Sequence, residues 1–220
     1  MQPQPDYRSQ FQSPELALSY DESYSKDGYA TLLYDIEKEF LVETVIKYRN
    51  IHKQIELLDF ACGTGRITSV IEHLANNSYG IDISPSMLER AKKNTRYTKF
   101  FCGDITTDLN TNLCDGPFDI IVSFRFITNA ENDLRLATLR CLHRRLRNKD
   151  SILIFNIHRN LFSYLFFHWV LQKLGVIKSK HNWNYVSIFQ VVKLVNNNGF
   201  TITKIVGMGF LSSHLAKIIS

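Results

Sequence analysis

The stretch LLDFACGTGR, residues 57–66, decides the fold. Leu57 and Leu58 belong to a short apolar run, 56–60, that carries Asp59 near its end and reads as a buried strand. Glycines at 63 and 65 then break the run. Beyond them Ile67, Val70, Ile71 and Leu74 recur at i, i+3, i+4 and i+7, the spacing of one buried helix face. Strand, glycine loop and helix in that order are the opening unit of a parallel α/β sheet.

The alternation continues outward from this unit. Asn76 and Asn77 end the helix, and 79–83 reads as a second strand. Ser84 then caps a helix with Pro85 in its first turn and Met87, Leu88 and Ala91 on its inner face. Further strands are expected at 99–102, 118–123 and 152–157, with a helix around 131–147 before the last of these. Ser187 caps a helix bearing Ile188, Val191, Val192 and Val195, Gly199 closes it, and 200–206 reads as a sixth strand. Unbroken apolar strands separated by helices imply a mostly parallel sheet covered on both faces. The expected class is therefore a doubly wound α/β fold. Residues 15–50 look mainly helical and precede the sheet, so 1–50 reads as a polar tail and helical lid and 51–220 as the ligand-binding domain, one structural domain in all.

The 220 residues suffice for one substantial core, and 45% apolar with 21% charged residues is ordinary for a globular chain. A net charge of +5 is too small to decide a partner. Cys62, Cys102, Cys114 and Cys141 form no CxxC pair and have no histidine cluster beside them, so no metal site is expected. Isolated cysteines, with a polar start MQPQPDYRSQFQSP that is neither signal peptide nor anchor, lead to an expectation of a cytoplasmic protein whose first dozen residues are loose.

In an open α/β sheet, ligands bind beyond the carboxyl ends of the strands, so the loop from Asp59 to Gly65 is the place to seek chemistry. A dinucleotide site needs a third glycine where this chain has Thr68, and a P-loop needs Gly-Lys-Ser/Thr where it has Gly65-Arg66-Ile67. Both phosphate-binding readings fail on these residues. Asp82, 17 residues after Gly65, ends the second strand and can accept hydrogen bonds from both hydroxyls of a ribose. Asp104 follows the third strand and can accept from an exocyclic amine, while Ile83 and Ile105 could sandwich an aromatic base. Acids at three successive strand ends suit a nucleoside bearing a cationic group.

On these residues the sequence resembles the class I methyltransferase family. The signatures are LLDFACGTGR at 57–66, YGIDISPSMLERA at 79–91, FFCGDI at 100–105 and FDIIVSFRFITN at 118–129, in order, and the resemblance runs from about residue 20 to 210. The FRFITN stretch further resembles a group of bacterial small-molecule methyltransferases. The resemblance implies a Rossmann-like fold, S-adenosylmethionine as cofactor and transfer of its methyl group to an O, N or C atom of a small molecule. It implies that Asp59 and the backbone of Gly63 and Gly65 surround the methionine portion, with Met87 near the nucleoside. The Ile105 N–H would meet the adenine ring, and the Ser123 carbonyl would hold the ammonium. Ala61 stands in the loop where the family more often has glycine, and its methyl is tolerated there if φ is negative. The family also ends its sheet with an antiparallel strand. This chain runs out at FLSSHLAKIIS soon after the sixth strand, so the expectation is that either that strand is missing or the chain is a truncated product, and a degenerate or truncated module that binds without catalysing is the alternative reading.

Other residues carry two readings each. Arg125 either holds an anionic substrate or pairs with a neighbouring carboxylate. His158 is either a general base for a hydroxyl or amine, or a solvated loop histidine. Tyr20, Tyr24 and Tyr29 either belong to a lid or simply pack. The basic run Arg140, Arg144, Arg145, Arg147 and Lys149 fits a helix C-terminus better than a nucleic-acid patch, since no aromatics are interleaved. The apolar segment 161–177 is short for a membrane span and reads as a roof over the substrate pocket, with a membrane-surface or lipid-substrate role as the lesser option. The absence of an Asn/Asp-Pro-Pro-aromatic signature argues against nucleic-acid bases as acceptors.

Overall fold

Strand β1, Glu56–Phe60, lies at the centre of the sheet, and its side chains from Leu57 to Phe60 are all buried. Such a strand has helices on both faces, which is why its sequence shows no polar alternation. The computed structural model describes residues 7–10, 29–107, 114–157, 170–171, 174–175 and 186–207. Helix α1, Tyr7–Gln10, is a single turn, and α2, Tyr29–Ile51, is the longest described element. After β1 come α3 (Thr68–Ile71, continued by a 3₁₀ turn at Glu72–Leu74), β2 (Asn77–Asp82), α4 (Pro85–Asn94) and β3 (Thr98–Cys102). Then follow β4 (Ile120–Ser123), α5 (Phe126–Asn129), α6 (Asn132–Arg145), β5 (Ile152–Phe155) and α7 (Ile188–Asn196).

The five strands run parallel in the order β3-β2-β1-β4-β5. The chain steps one way from β1 to β3 and the other way through β4 and β5, so the direction reverses between β1 and β4. The carboxyl ends of these two strands therefore flank a crevice. On one face Leu57, Ile120 and Val122 pack with Leu41 and Val45 of α2 and Ile71 of α3. On the other, Leu58, Ile81 and Ile121 pack with Leu139 and Leu142 of α6 and with Val191 and Val195 of α7. Helix α2 is thus one of the two covering layers as well as the element that precedes the sheet.

The helix ends are set by local chemistry. The Ser84 hydroxyl accepts from the Met87 N–H at 3.4 Å, with Pro85 in the first turn of α4. Ser187 and Gln190 form a reciprocal capping box at the start of α7. Gly199, at φ +88°, lets Phe200 N–H return to the Val195 carbonyl behind the end of that helix.

The expected sixth strand at 200–206 is not formed. Phe200 and Ile202 pack against the core while Thr201 and Thr203 are exposed, so the side-chain period of a strand holds over the first four residues and ends at Lys204 and Ile205, both exposed. Among the described residues, however, no backbone hydrogen bond ties this segment to β5. The Phe200 N–H is taken by the turn that closes α7, and Lys204 lies over the Phe40 ring of α2 at 5.2 Å. Helices, not the sheet, hold the segment. No antiparallel strand occurs among the described residues, nor is any described helix long and apolar enough to cross a membrane. Most of 161–177 lies outside the described residues, as does His158.

Candidate functional site

The glycine loop leaves β1 with a left-handed residue at Ala61, φ +56°. The negative φ under which a methyl would be tolerated there does not hold. Left-handed backbone costs a residue with a Cβ roughly 1–2 kcal/mol. Gly63 and Gly65 are left-handed too, at +54° and +76°, but without that cost. The loop is pinned by Cys62 N–H to the Ile81 carbonyl at 3.1 Å and Gly65 N–H to the Cys62 carbonyl at 3.0 Å. Ala61→Gly is therefore expected to stabilise the protein by about 1 kcal/mol, a rise of roughly 2–4 °C in Tm. An unchanged or lower Tm would show that the Ala61 methyl, which packs against the core, contributes more than the strain removes.

The two glycines do different things. A Cβ on Gly65 would lie 3.0 Å from the Ala91 Cα, so this glycine allows α4 to approach the loop, and it lines neither cleft described below. A Cβ on Gly63 would meet nothing within 4 Å, because that backbone faces open space.

Asp82, at the end of β2, accepts the Gly63 N–H on Oδ2 at 2.8 Å and the Ser84 N–H on Oδ1 at 2.9 Å. Burial raises its pKa, and the backbone N–H groups of Ser84, Gly63 and Ile83 oppose the rise. Asp59 is more enclosed, 1% exposed, and accepts the Thr68 hydroxyl at 2.5 Å. Burial pushes the Asp59 carboxyl up to about 7; the Thr68 hydrogen bond and Arg66 oppose this, and the charge of Asp82 adds to it. Asp104, beyond β3, takes the Thr106 N–H and hydroxyl on Oδ1, while its Oδ2 meets Arg8 Nε at 2.7 Å. Arg8 and Tyr7, from a segment the sequence reading leaves loose, dock here: Arg8 also reaches the Thr106 hydroxyl, and Tyr7 meets Phe126 edge-on at 5.5 Å.

Two adjoining clefts open at these strand ends. The larger, about 780 Å³ including its mouth, is walled by Ala61, Gly63, Asp82, Ile83, Met87, Asp104 and Arg125, with Tyr7 and Arg8 from the N-terminal turn. Its floor is apolar, from Phe60, Ile81, Phe126 and Leu134. The smaller, about 320 Å³, is walled by Asp59, Ala61, Cys62, Gly63, Thr64, Arg66 and Arg125. Ile105 is in the core at 2% exposure and does not reach the larger cleft. Ser123 ends β4, buried, directly before Phe124 and Arg125, which line both clefts. The Thr64 hydroxyl is buried with no hydrogen-bond partner among the described residues. A buried hydroxyl without a partner carries a desolvation cost that a polar ligand in the smaller cleft would relieve.

Arg125 is left-handed at φ +67°, and it pairs with a carboxylate that sequence reasoning did not single out. Its Nη2 lies 3.4 Å from both carboxylate oxygens of Glu37 on α2. Asn156, just beyond β5, donates to Glu37 Oε1 at 2.7 Å and accepts the Arg125 backbone N–H at 2.7 Å. Glu37 and Asn156 carry no motif that could have found them, whereas Thr64 lay within the glycine loop itself. Tyr20 and Tyr24 lie outside the described residues, as does the side chain of Tyr29.

The basic run is largely bonded within the protein. Arg147 pairs with Asp119 at 2.7 Å, Arg145 donates to the Cys114 and Cys141 carbonyls, and Arg140 donates to Asn198. Among the described residues no cluster of His, Cys, Asp or Glu has the arrangement of a metal site.

Residues 57–149 match the family described as "Methyltransferase domain". A ubiquinone biosynthesis O-methyltransferase of Pelagibacter ubique is 23% identical over 186 residues, covering 80% of this chain and 76% of that protein. An uncharacterized methyltransferase of Anoxybacillus flavithermus is 32% identical over 121 residues, 53% of each chain. Among solved structures, the magnesium protoporphyrin IX methyltransferase of Synechocystis PCC 6803, with bound S-adenosylhomocysteine, superimposes with a TM-score of 0.65 at 16% identity, covering 90% of this chain and 89% of that one. A methyltransferase-domain pattern thus spans the glycine loop through α6, and the parallel sheet of this order has the fold of the methyltransferase structure on which it superimposes.

Proposed function

We propose that the protein transfers a methyl group from S-adenosylmethionine to an O, N or C nucleophile of a small molecule, at the junction of the two clefts. The observation that carries this reading is the joining of an apolar-floored cleft edged by Asp82 and Asp104 to a polar one that holds the unpartnered Thr64 hydroxyl. In this reading Asp82 accepts the ribose hydroxyls, with Ile83 and Met87 beside the nucleoside. Asp104 faces the adenine amine next to Arg8, and the backbone of Gly103 and Asp104 borders the ring. The amino-acid tail lies along Gly63 and Thr64, with Asp59 and the Ser123 carbonyl toward its ammonium. Gly63 supports the fit, since its missing side chain leaves space where that tail would run.

Bound there, the sulfonium supplies an activated methyl group, so no nucleophile from the protein is required. The chain's own work is orientation and exclusion of water. Tyr7 and Arg8 wall the nucleoside end, and Phe124 and Phe126 dry the approach. Because Arg125 is paired with Glu37, it is a weak anchor for an anionic acceptor, which favours an uncharged one. A hydroxyl is the first acceptor to test, since the Pelagibacter relative is named an O-methyltransferase. His158 would then be the base. The internal bonding of the basic run favours a small acceptor over a nucleic acid, and four free cysteines suit a reducing, cytoplasmic setting.

Calorimetric titration with S-adenosylmethionine, followed by transfer of labelled methyl into cell extract split into small-molecule, lipid and RNA fractions, tests the reading. Saturable binding with label in the small-molecule fraction is expected. No binding would overturn the site assignment, and label confined to RNA or lipid would overturn the acceptor class.

A further inference from the structure

Arg125, Phe124, Ala61 and Gly63 line both clefts and so mark their junction. On the cofactor reading above, the nucleoside takes the larger cleft and the amino-acid tail the smaller. That places the sulfonium beside Arg125. Two like charges a few ångströms apart in a poorly solvated cleft repel strongly enough to cost about tenfold or more in affinity. Glu37 stands behind Arg125 and removes this cost. We propose that Glu37 is a positioning residue whose carboxylate cancels the Arg125 charge and thereby lets the site favour cationic S-adenosylmethionine over neutral S-adenosylhomocysteine, an inference that rests on the cofactor reading above.

The arrangement is more than a chance ion pair. Glu37 is 4% exposed within α2, and a carboxylate so placed is costly unless it is paired and hydrogen-bonded. Its two oxygens share Arg125 Nη2, and Oε1 also takes the Asn156 side-chain N–H. Asn156 in turn holds the backbone N–H of Arg125. One carboxylate therefore fixes both the charge and the left-handed backbone of Arg125, drawing together α2 and the loops that follow β4 and β5. A scaffold contact alone would affect both ligands alike. A charge-compensating contact separates them, because the two ligands differ at the sulfur by one positive charge.

The test is calorimetry of both ligands on wild type, on Glu37→Gln and on the double variant Glu37→Gln/Arg125→Met. Glutamine keeps the shape and an acceptor oxygen but withdraws the negative charge that Glu37 sets against Arg125. Glu37→Gln is expected to weaken S-adenosylmethionine about tenfold or more while S-adenosylhomocysteine changes by no more than about twofold. Removing Arg125 as well returns the ratio of the two affinities toward that of wild type. Retained S-adenosylhomocysteine binding also reports that the variant's clefts are intact. Equal losses for the two ligands, or an unchanged ratio, would overturn the proposal and leave the cofactor reading standing. Failure of wild type to bind either ligand would overturn that reading, and this proposal with it.

Discussion

Replacing Asp59 by asparagine is expected to raise the melting temperature of the ligand-free protein at pH 8 while leaving it almost unchanged near pH 4. Burial holds the Asp59 carboxyl up at about 7 in the folded protein, against an ordinary value of 3.8. Because the folded-state pKa is the higher one, the associated stability is fully present below 3.8 and is lost as the pH rises through 7. Above 7 the folded protein carries a buried carboxylate that the unfolded chain would solvate more readily. The difference between the pKa values corresponds to a penalty on the order of a few kcal/mol. Asparagine can still accept the Thr68 hydroxyl hydrogen bond but has no charge to desolvate. Thermal unfolding from pH 4 to pH 8 should therefore show wild type falling relative to Asp59→Asn, by roughly 5–10 °C at the upper end. Curves that run parallel across this range would refute the raised pKa. The same variant should bind S-adenosylmethionine less tightly, because the wild-type carboxylate loses its penalty once a cation sits beside it. Calorimetry at pH 7 in buffers of different ionisation enthalpy should then register proton release for wild type and little for Asp59→Asn.

Such a residue shows what a sequence can and cannot carry. The central strands were legible because strands buried on both faces read as unbroken apolar runs, and β1 with Leu57 and Leu58 fully buried is the clearest case. Ser84-Pro85 and Ser187 were legible because capping is local chemistry, settled within three residues. The strand expected at 200–206 failed for the complementary reason. Its side-chain period holds over residues 200–203, but a strand also needs a partner backbone at ladder distance, and periodicity does not encode that. Ala61 showed the same gap at one residue, since the turn demands a left-handed backbone and the sequence does not place glycine there. The acids at strand ends were found by position. Their partners were not, because Glu37 meets Arg125 and Asn156 across 88 and 119 residues, and Arg8 meets Thr106 across 98. Long-range pairs of this kind leave no trace in local composition.

Asp82 is where the two kinds of information meet, and Asp82→Asn is expected to lower affinity for S-adenosylmethionine and S-adenosylhomocysteine alike by about a hundredfold, the loss of two charge-assisted hydrogen bonds. The sequence assigns Asp82 to ribose hydroxyls, yet each of its oxygens already accepts a backbone N–H, from Gly63 and from Ser84. A carboxylate oxygen can accept more than one hydrogen bond, so bracing the loop and holding the ribose are compatible. They are also separable. An asparagine at 82 keeps one acceptor oxygen and turns an N–H₂ toward Gly63 or Ser84, so some affinity would be lost through the loop even if no ribose were touched. The ligand must therefore be varied together with the protein. S-adenosylhomocysteine lacking its 2′-hydroxyl should bind wild type about tenfold more weakly than the intact compound. Asp82→Asn should scarcely tell the two apart, because the group that reads the hydroxyl is gone. If Asp82→Asn weakens binding but still discriminates against the deoxy compound as wild type does, Asp82 serves the glycine loop alone and the ribose is held elsewhere. If discrimination disappears together with affinity, one carboxylate both shapes the loop and reads the sugar, and the left-handed turn from Ala61 to Gly65 is set by the residue that selects the ligand.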